Sequence, residues 1–193
     1  MRRSLASIAL IACGPPPVFH KDAERGCADV TLAGPEDVAA TAGCRAVDSL
    51  TLRTGMPLDL KSLGRLETIR GALVVGPSVG FSELALPKLR RVESIRIVAN
   101  GDLTGVFLPL LEHAGAFEIE GNQALSTVSA PALMATRKLV VTANASLVVL
   151  NLAALASATV VTVDNNPKLS IIDSKLPNLA PPPPAVESVP QPP

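Results

Sequence analysis

An asparagine returns every 22 residues, at Asn100, Asn122, Asn144 and Asn166. A fixed period of that length marks a stacked repeat, one coil of backbone per period. No other feature of the chain narrows the choice of fold as far. Four apolar columns keep the same register: Ile95, Phe117, Leu139 and Val161; Ile97, Ile119, Val141 and Val163; Phe81, Leu103, Leu125, Leu147 and Leu169; and Leu84, Val106, Val128, Leu150 and Ile172. One coil cannot bury its own apolar face, so each takes its stability from its neighbours.

Phe117 and Ile119 alternate with Glu118 and Glu120. That period of two belongs to a half-buried strand. The equivalent segments are Leu50–Arg53, Leu73–Gly76, Ile95–Val98, Leu139–Thr142 and Val161–Asp164. Leu50 and Leu73 lie 23 apart, so the first coil carries one extra residue. After each strand the asparagine falls in a turn, where it tolerates unusual backbone angles and its amide can bond neighbouring backbone groups. Stacked asparagines can also bond each other from coil to coil. A second inward stripe, such as Leu125, Val128, Ala130 and Leu133, fills the other side of the coil. The expectation is a mainly β chain: a right-handed parallel β-solenoid of about six 22-residue coils over residues 27–178, with a short N-terminal capping helix.

The N-terminus starts Met1-Arg2-Arg3, and Leu5 to Ala12 is an apolar run too short to span a bilayer. The sequence Leu10-Ile11-Ala12-Cys13-Gly14 resembles the lipobox of bacterial lipoproteins. That resemblance implies a signal peptide over residues 1–12, cleavage before Cys13 and diacylglycerol on its thiol. Acyl chains there would anchor the protein to the membrane. Gly14 in place of Asp leaves the outer membrane or cell surface open as its destination in a diderm cell. An ordinary secretory signal cleaved near Ala12, or a chance apolar start, are the competing readings. Residues 13–26, with Pro15, Pro16 and Pro17, read as a short stiff tether.

An exported chain meets an oxidising compartment, so Cys27 and Cys44 are expected to form a disulfide. A loop of that size contributes about 3 kcal/mol in the chain-entropy treatment. Metal binding is the weaker alternative, with two thiols, no histidine pair and no CxxC spacing. Between the cysteines, Val30 and Leu32 suggest an edge strand. Pro35, Glu36 and Asp37 suggest a first helical turn, and Gly43 a helix end. A helix here would cover the open end of the stack. At the other terminus, residues 179–193 are Pro-rich and read as a disordered, extended tail, because proline cannot donate to a sheet. A spacer role, or a ligand for a proline-binding domain, are its functional readings.

Cys27, a strand, a short helix ending Gly43-Cys44, then Leu50-Thr51-Leu52 and the run Leu63, Leu66, Ile69, Gly71 and Leu73 resemble the receptor L domain. Copies of that domain occur in growth-factor and insulin receptors, in fungal cell-wall proteins and in bacterial surface lipoproteins. The resemblance covers about residues 26–178 and implies the same solenoid and a recognition role. It carries no ligand-binding residue across to this chain. Ser94 and Ala116 stand where the pattern often has glycine.

Seventeen basic and seventeen acidic residues give zero net charge, so no basic field attracts nucleic acid. Aromatic residues make up 2% and Trp and Tyr are absent, which removes the usual hot-spot anchors and sugar-stacking platforms. His20 in the tether and His113, read as a turn residue after Leu111, are expected to be solvated. No Ser-His-Asp arrangement, P-loop or HExxH is recognisable. Catalysis, cofactors and metal are therefore not expected. A polysaccharide-acting β-helix enzyme is a minor alternative, disfavoured because outward acidic residues are sparse. The candidate binding face is Arg96, Glu118, Glu120, Thr142, Thr162 and Asp164, with Arg96 and Glu118 as an expected cross-strand pair. The functional expectation is a lipid-anchored extracytoplasmic binding or adhesion module for a protein or glycan at the cell surface. A structural envelope lipoprotein without a dedicated ligand is the alternative.

Overall fold

A computed structural model describes residues 26–179. Cys13 with the signal and tether, His20 and the Pro-rich tail lie outside the described residues. In chain order the elements are β1 Gly26–Cys27, β2 Val30–Leu32, α1 Pro35–Thr41, β3 Ala46–Val47 and β4 Leu50–Leu52, then a 3-10 turn at Leu60–Arg65. There follow β5 Thr68–Val75, β6 Glu83–Ala85, β7 Arg91–Val98, β8 Gly105–Phe107 and β9 His113–Glu120. The last are β10 Thr127–Ser129, β11 Ala135–Thr142, β12 Val149–Leu152, β13 Ser157–Asp164 and β14 Ile171–Ser174.

The long sheet runs β1-β3-β5-β7-β9-β11-β13, with β2 beside β4 and β4 beside β5. The facing sheet runs β6-β8-β10-β12-β14. Register steps by 22 residues from rung to rung, as in Ile95↔Phe117 and Phe117↔Leu139, and the pairing is parallel. The solenoid has seven rungs where about six were expected, because the segment before α1 forms a rung of its own, β1 and β2 lying on β3 and β4.

The core lies between the two sheets. Ile95, Phe117, Leu139, Ile97, Ile119 and Val141 from one side meet Leu84, Val106, Val128 and Leu150 from the other, all at 0–1% exposure. Every rung offers the same cross-section, so every rung needs side chains of similar volume, which explains an aliphatic core with few aromatics. Each such side chain contributes roughly 1.5–3 kcal/mol through burial.

The one-residue anomaly in the period has a local cause. Val47↔Ile69 is a step of 22 and Ile69↔Val92 a step of 23, and the register of β5 shifts between Ile69 and Ala72. The extra residue is a β-bulge at Arg70 and Gly71, where Gly71 N–H donates to Asp48 O at 2.7 Å. The strands β5, β7, β9, β11 and β13 also start four or five residues earlier than their alternation suggests. Alternation breaks at Glu93, Gly115 and Arg137, where the sheet turns a corner and pairing skips a residue.

A second recurring turn closes each coil. The N–H of Leu66, Leu89, Leu111, Leu133 and Leu155 each donates to the carbonyl three residues back, at 2.8–3.2 Å, and the next long strand begins two residues later. Cys44 makes the same turn before β3. It therefore holds the leucine's place, and its disulfide to Cys27 ties this corner to the first rung across a Cα separation of 6.0 Å. The helix α1 packs on β2 and on the 3-10 turn, burying Val38 and Thr41. Asp37 secures its start by accepting the N–H of Ala33 at 2.9 Å and Gly34 at 3.0 Å. Those bonds hold its carboxyl below the usual value of 3.8. The helix ends at Ala42, and Gly43 beyond it does not adopt a left-handed backbone.

Candidate functional site

Residues of the long strands that do not enter the core stand on an outer face. Register places Arg96, Glu118, Val140 and Thr162 in one column and Val98, Glu120, Thr142 and Asp164 in the next. The six residues of the expected binding face are thus brought together on four adjacent rungs about 4.8 Å apart. Arg96, Glu120, Thr162 and Asp164 are exposed, and Glu118 and Thr142 half-buried. The expected Arg96–Glu118 pair is not the one formed. Lys138 reaches diagonally from β11 and places its Nζ 2.7 Å from Glu118, a diagonal that a long side chain spans. Asp164 accepts the N–H of neighbouring Asn165 at 2.7 Å. Glu120, Thr142 and Thr162 make no side-chain hydrogen bond or ion pair among the described residues.

The corner of the long sheet carries a feature that sequence reading missed. Arg45, Glu67, Arg90 and Glu112 form a column of alternating sign, with Arg45–Glu67 at 4.0 Å and Arg90 paired to Glu112. In the adjoining column Asp48 meets Arg70 at 2.6 Å, and Glu93 pairs with Arg137 two rungs away. Gly115 lies between those two. A Cβ there would sit 2.6 Å from Glu93 O and 2.7 Å from the Arg137 guanidinium, so only glycine leaves room. These side chains are largely exposed, and each pair contributes up to about 1 kcal/mol. Like charges on neighbouring rungs would repel, so alternation also disfavours a slipped register. The signal was available as opposite charges 22 or 23 residues apart.

Inside the turn, the amide of Asn100 donates to Asn122 Oδ1 at 2.9 Å, Asn122 to Asn144 at 3.1 Å and Asn144 to Asn166 at 3.1 Å. The backbone N–H of Asn100, Asn122 and Asn144 converges on the same oxygens. Each amide also caps a carbonyl at its own strand end and another one coil back, such as Glu120 O and Ile97 O for Asn122. Buried donors and acceptors need such partners. The positive backbone angle falls one residue earlier than expected: Ala99, Gly121, Ala143 and Asn165 have φ of 54°, 68°, 57° and 55°. The ladder also runs further than the asparagines. Ser78 Oγ accepts Thr54 N–H at 3.1 Å and donates to Leu52 O at 3.4 Å, copying with a hydroxyl what the amides do. Asn100 Oδ1, at the junction of the two kinds of rung, is buried without a hydrogen-bond partner among the described residues.

Among the described residues no three His, Cys, Asp or Glu side chains group to hold a metal, and no helix is long and apolar enough to cross a membrane. His113 opens β9 rather than sitting in a turn, exposed and in register with Arg91. With Arg70, Glu93 and Gly115 they line a shallow corner groove. Compared with family models, curated proteins and solved structures, the chain matches none.

Proposed function

We propose that this chain is a lipid-anchored extracytoplasmic binding or adhesion module, held at the bacterial cell envelope through Cys13 and presenting the outer face of β7, β9, β11 and β13 to a protein or glycan. The observation that carries the reading is a difference in how polar groups are used. Charges at the corner neutralise one another, whereas Glu120 and Thr142, in register, and Thr162 in the adjoining column have no partner among the described residues. A stacked sheet holds them at a fixed spacing and orientation, so a ligand meets a surface already ordered. The resemblance to receptor L domains supports a recognition role, and the lipobox-like Leu10–Cys13 segment supports the anchor.

The test is cross-linking on intact source cells that carry a tagged copy, with mass spectrometry of what is captured. A single saturable partner, lost in the Glu120→Lys and Thr142→Arg double variant, supports recognition by this face. A diffuse set of abundant envelope neighbours, unchanged by the variant, favours the structural role instead. Cys13→Ala is expected to abolish fatty-acid labelling, and a label that persists removes the anchor from the proposal.

A further inference from the structure

The corner of the long sheet holds one column whose charge is not paired. Thr68, Arg91 and His113 stand in register on β5, β7 and β9. The columns on either side pair internally: Arg45 with Glu67 and Arg90 with Glu112 on one side, Asp48 with Arg70 and Glu93 with Arg137 on the other. Arg91 and His113 are exposed, and neither makes a side-chain hydrogen bond or ion pair among the described residues. The flanking columns set opposite charges together. Here two basic side chains lie directly opposite one another, an arrangement that adds nothing to the sheet by itself.

The same column borders a groove. Thr68, Arg91 and His113 line one side of it, Arg70 and Glu93 the other, and Gly115 keeps its end clear. Its volume is about 480 Å³, within the range of sites that hold a small molecule. It lies on middle rungs, each paired to a strand on both sides. The column Thr68–His113 spans two rung spacings, about 10 Å.

The donors and acceptors there describe a ligand. A guanidinium offers two parallel N–H groups to a carboxylate, and the imidazole one rung away offers another. Arg70 and Arg137 are already held by Asp48 and Glu93, so neither competes with Arg91. Across the groove Glu93 keeps lone pairs that accept from a hydroxyl, and Thr68 adds a hydroxyl of its own. One carboxylate with hydroxyls a few ångströms away is the outline of a sugar acid. The groove has no aromatic lining, so charge and hydrogen bonds do the holding rather than stacking. Ile69 and Val92 turn their side chains into the core, which leaves no apolar pocket for the anchor of a protein partner.

We infer that the corner groove binds the carboxylated sugar unit of an acidic glycan, with Arg91 and His113 on the carboxylate and Thr68 and Glu93 on the hydroxyls. The bound anion offsets the opposition of the two basic groups. The site lies on other columns than the recognition face proposed above and stands independently of it.

Titration of the full chain with D-glucuronate, followed by backbone amide NMR, tests this, with D-glucose, inorganic phosphate and an aspartate-rich peptide as comparisons. Glucuronate should give saturable shifts confined to the corner of β5, β7 and β9, and glucose none. Arg91→Ala should weaken binding about tenfold or more and leave the thermal midpoint unchanged. Arg91→Lys keeps the charge but not the fork and should recover only part of the loss. Glucuronate that binds no better than glucose, or equally well in Arg91→Ala, overturns the assignment. So does phosphate or the peptide binding at Arg91 more tightly than glucuronate, which would give the groove to a simple anion or to a protein. A response lost in the Glu120→Lys, Thr142→Arg variant would move the sugar to the outer face and equally overturn it.

Discussion

Leu32 and Val47, inward residues of the first two rungs, are fully buried, with α1 packed on β2, while Val161 and Ile172, inward residues of the last rung in each sheet, are 42% exposed and half-buried. Both ends are made from the same coil. At the N-terminal end the long strand is split into β1 with β2 and β3 with β4, a helix covers the opening, and Cys27 and Cys44 fasten it. At the C-terminal end the described residues close with Leu179, whose N–H repeats the corner turn by donating to Leu176 O. Charge follows the same division. The alternating columns run from Arg45 to Arg137, and β13 beyond them carries a single charge, Asp164. A stacked repeat stabilises its interior by neighbour contacts but has no means within the repeat of ending itself. Each end therefore needs material that departs from the period.

The sharpest way to break this contrast is to unfasten the N-terminal end. Cys27→Ser with Cys44→Ser should lower unfolding stability by about 3 kcal/mol, read from the denaturant midpoint. Exchange should rise first in β1, β2 and α1, leaving β9 and β11 protected. If midpoints of the reduced and oxidised forms coincide, the closure is not what holds this end.

The asparagines test how much a rung gains from having neighbours on both sides. Asn122→Ala removes bonds to both neighbours in a fully buried site, and about 1–3 kcal/mol should be lost. Asn166→Ala, half-buried with no rung beyond it among the described residues, should cost about half as much. Equal losses would show that burial of the ladder does not decide its worth.

A smaller effect is expected at the residues before the asparagines. Gly121→Ala places a Cβ in left-handed backbone and should cost about 1 kcal/mol, whereas Ala143→Gly should stabilise by up to about 1 kcal/mol. Thermal midpoints moving in opposite directions would confirm that these positions carry the strain.

The mildest prediction concerns pH at the capped end. The Asp37 carboxyl is held below its usual 3.8 by the N–H groups of Ala33 and Gly34. Its contribution is complete above that value and disappears as pH falls through the lower folded value. Exchange in α1 should therefore quicken below about pH 4, and Asp37→Asn should remove that acid dependence. An acid response unaltered in the variant would assign it to another carboxylate.

Much of this was legible before any coordinates. The 22-residue return of four columns could arise only from stacked coils, and alternation around Phe117 and Ile119 marked the inner face. Strand starts were missed because alternation fails at Glu93, Gly115 and Arg137, where the backbone turns. The pairing of Glu118 was misjudged because direct register favours Arg96, while the reach of a lysine side chain made the diagonal partner better. The candidate face was legible as two columns, but which of its groups lacked partners was not.

The sequence by itself determined the coil, its period and its inner residues, because each of these is a local pattern repeated often enough to exclude chance; the cysteine closure was expected on a different ground, the oxidising compartment of an exported chain. Only the tertiary structure revealed that the inserted residue is a bulge at Gly71, that Ser78 and Thr54 extend the ladder, that Gly115 admits a pair spanning two rungs, and that Leu179 repeats the corner turn. Each of those depends on what one coil places against the next. Contacts between residues 22 or 44 apart are chosen by side-chain length and shape, quantities that no single coil contains.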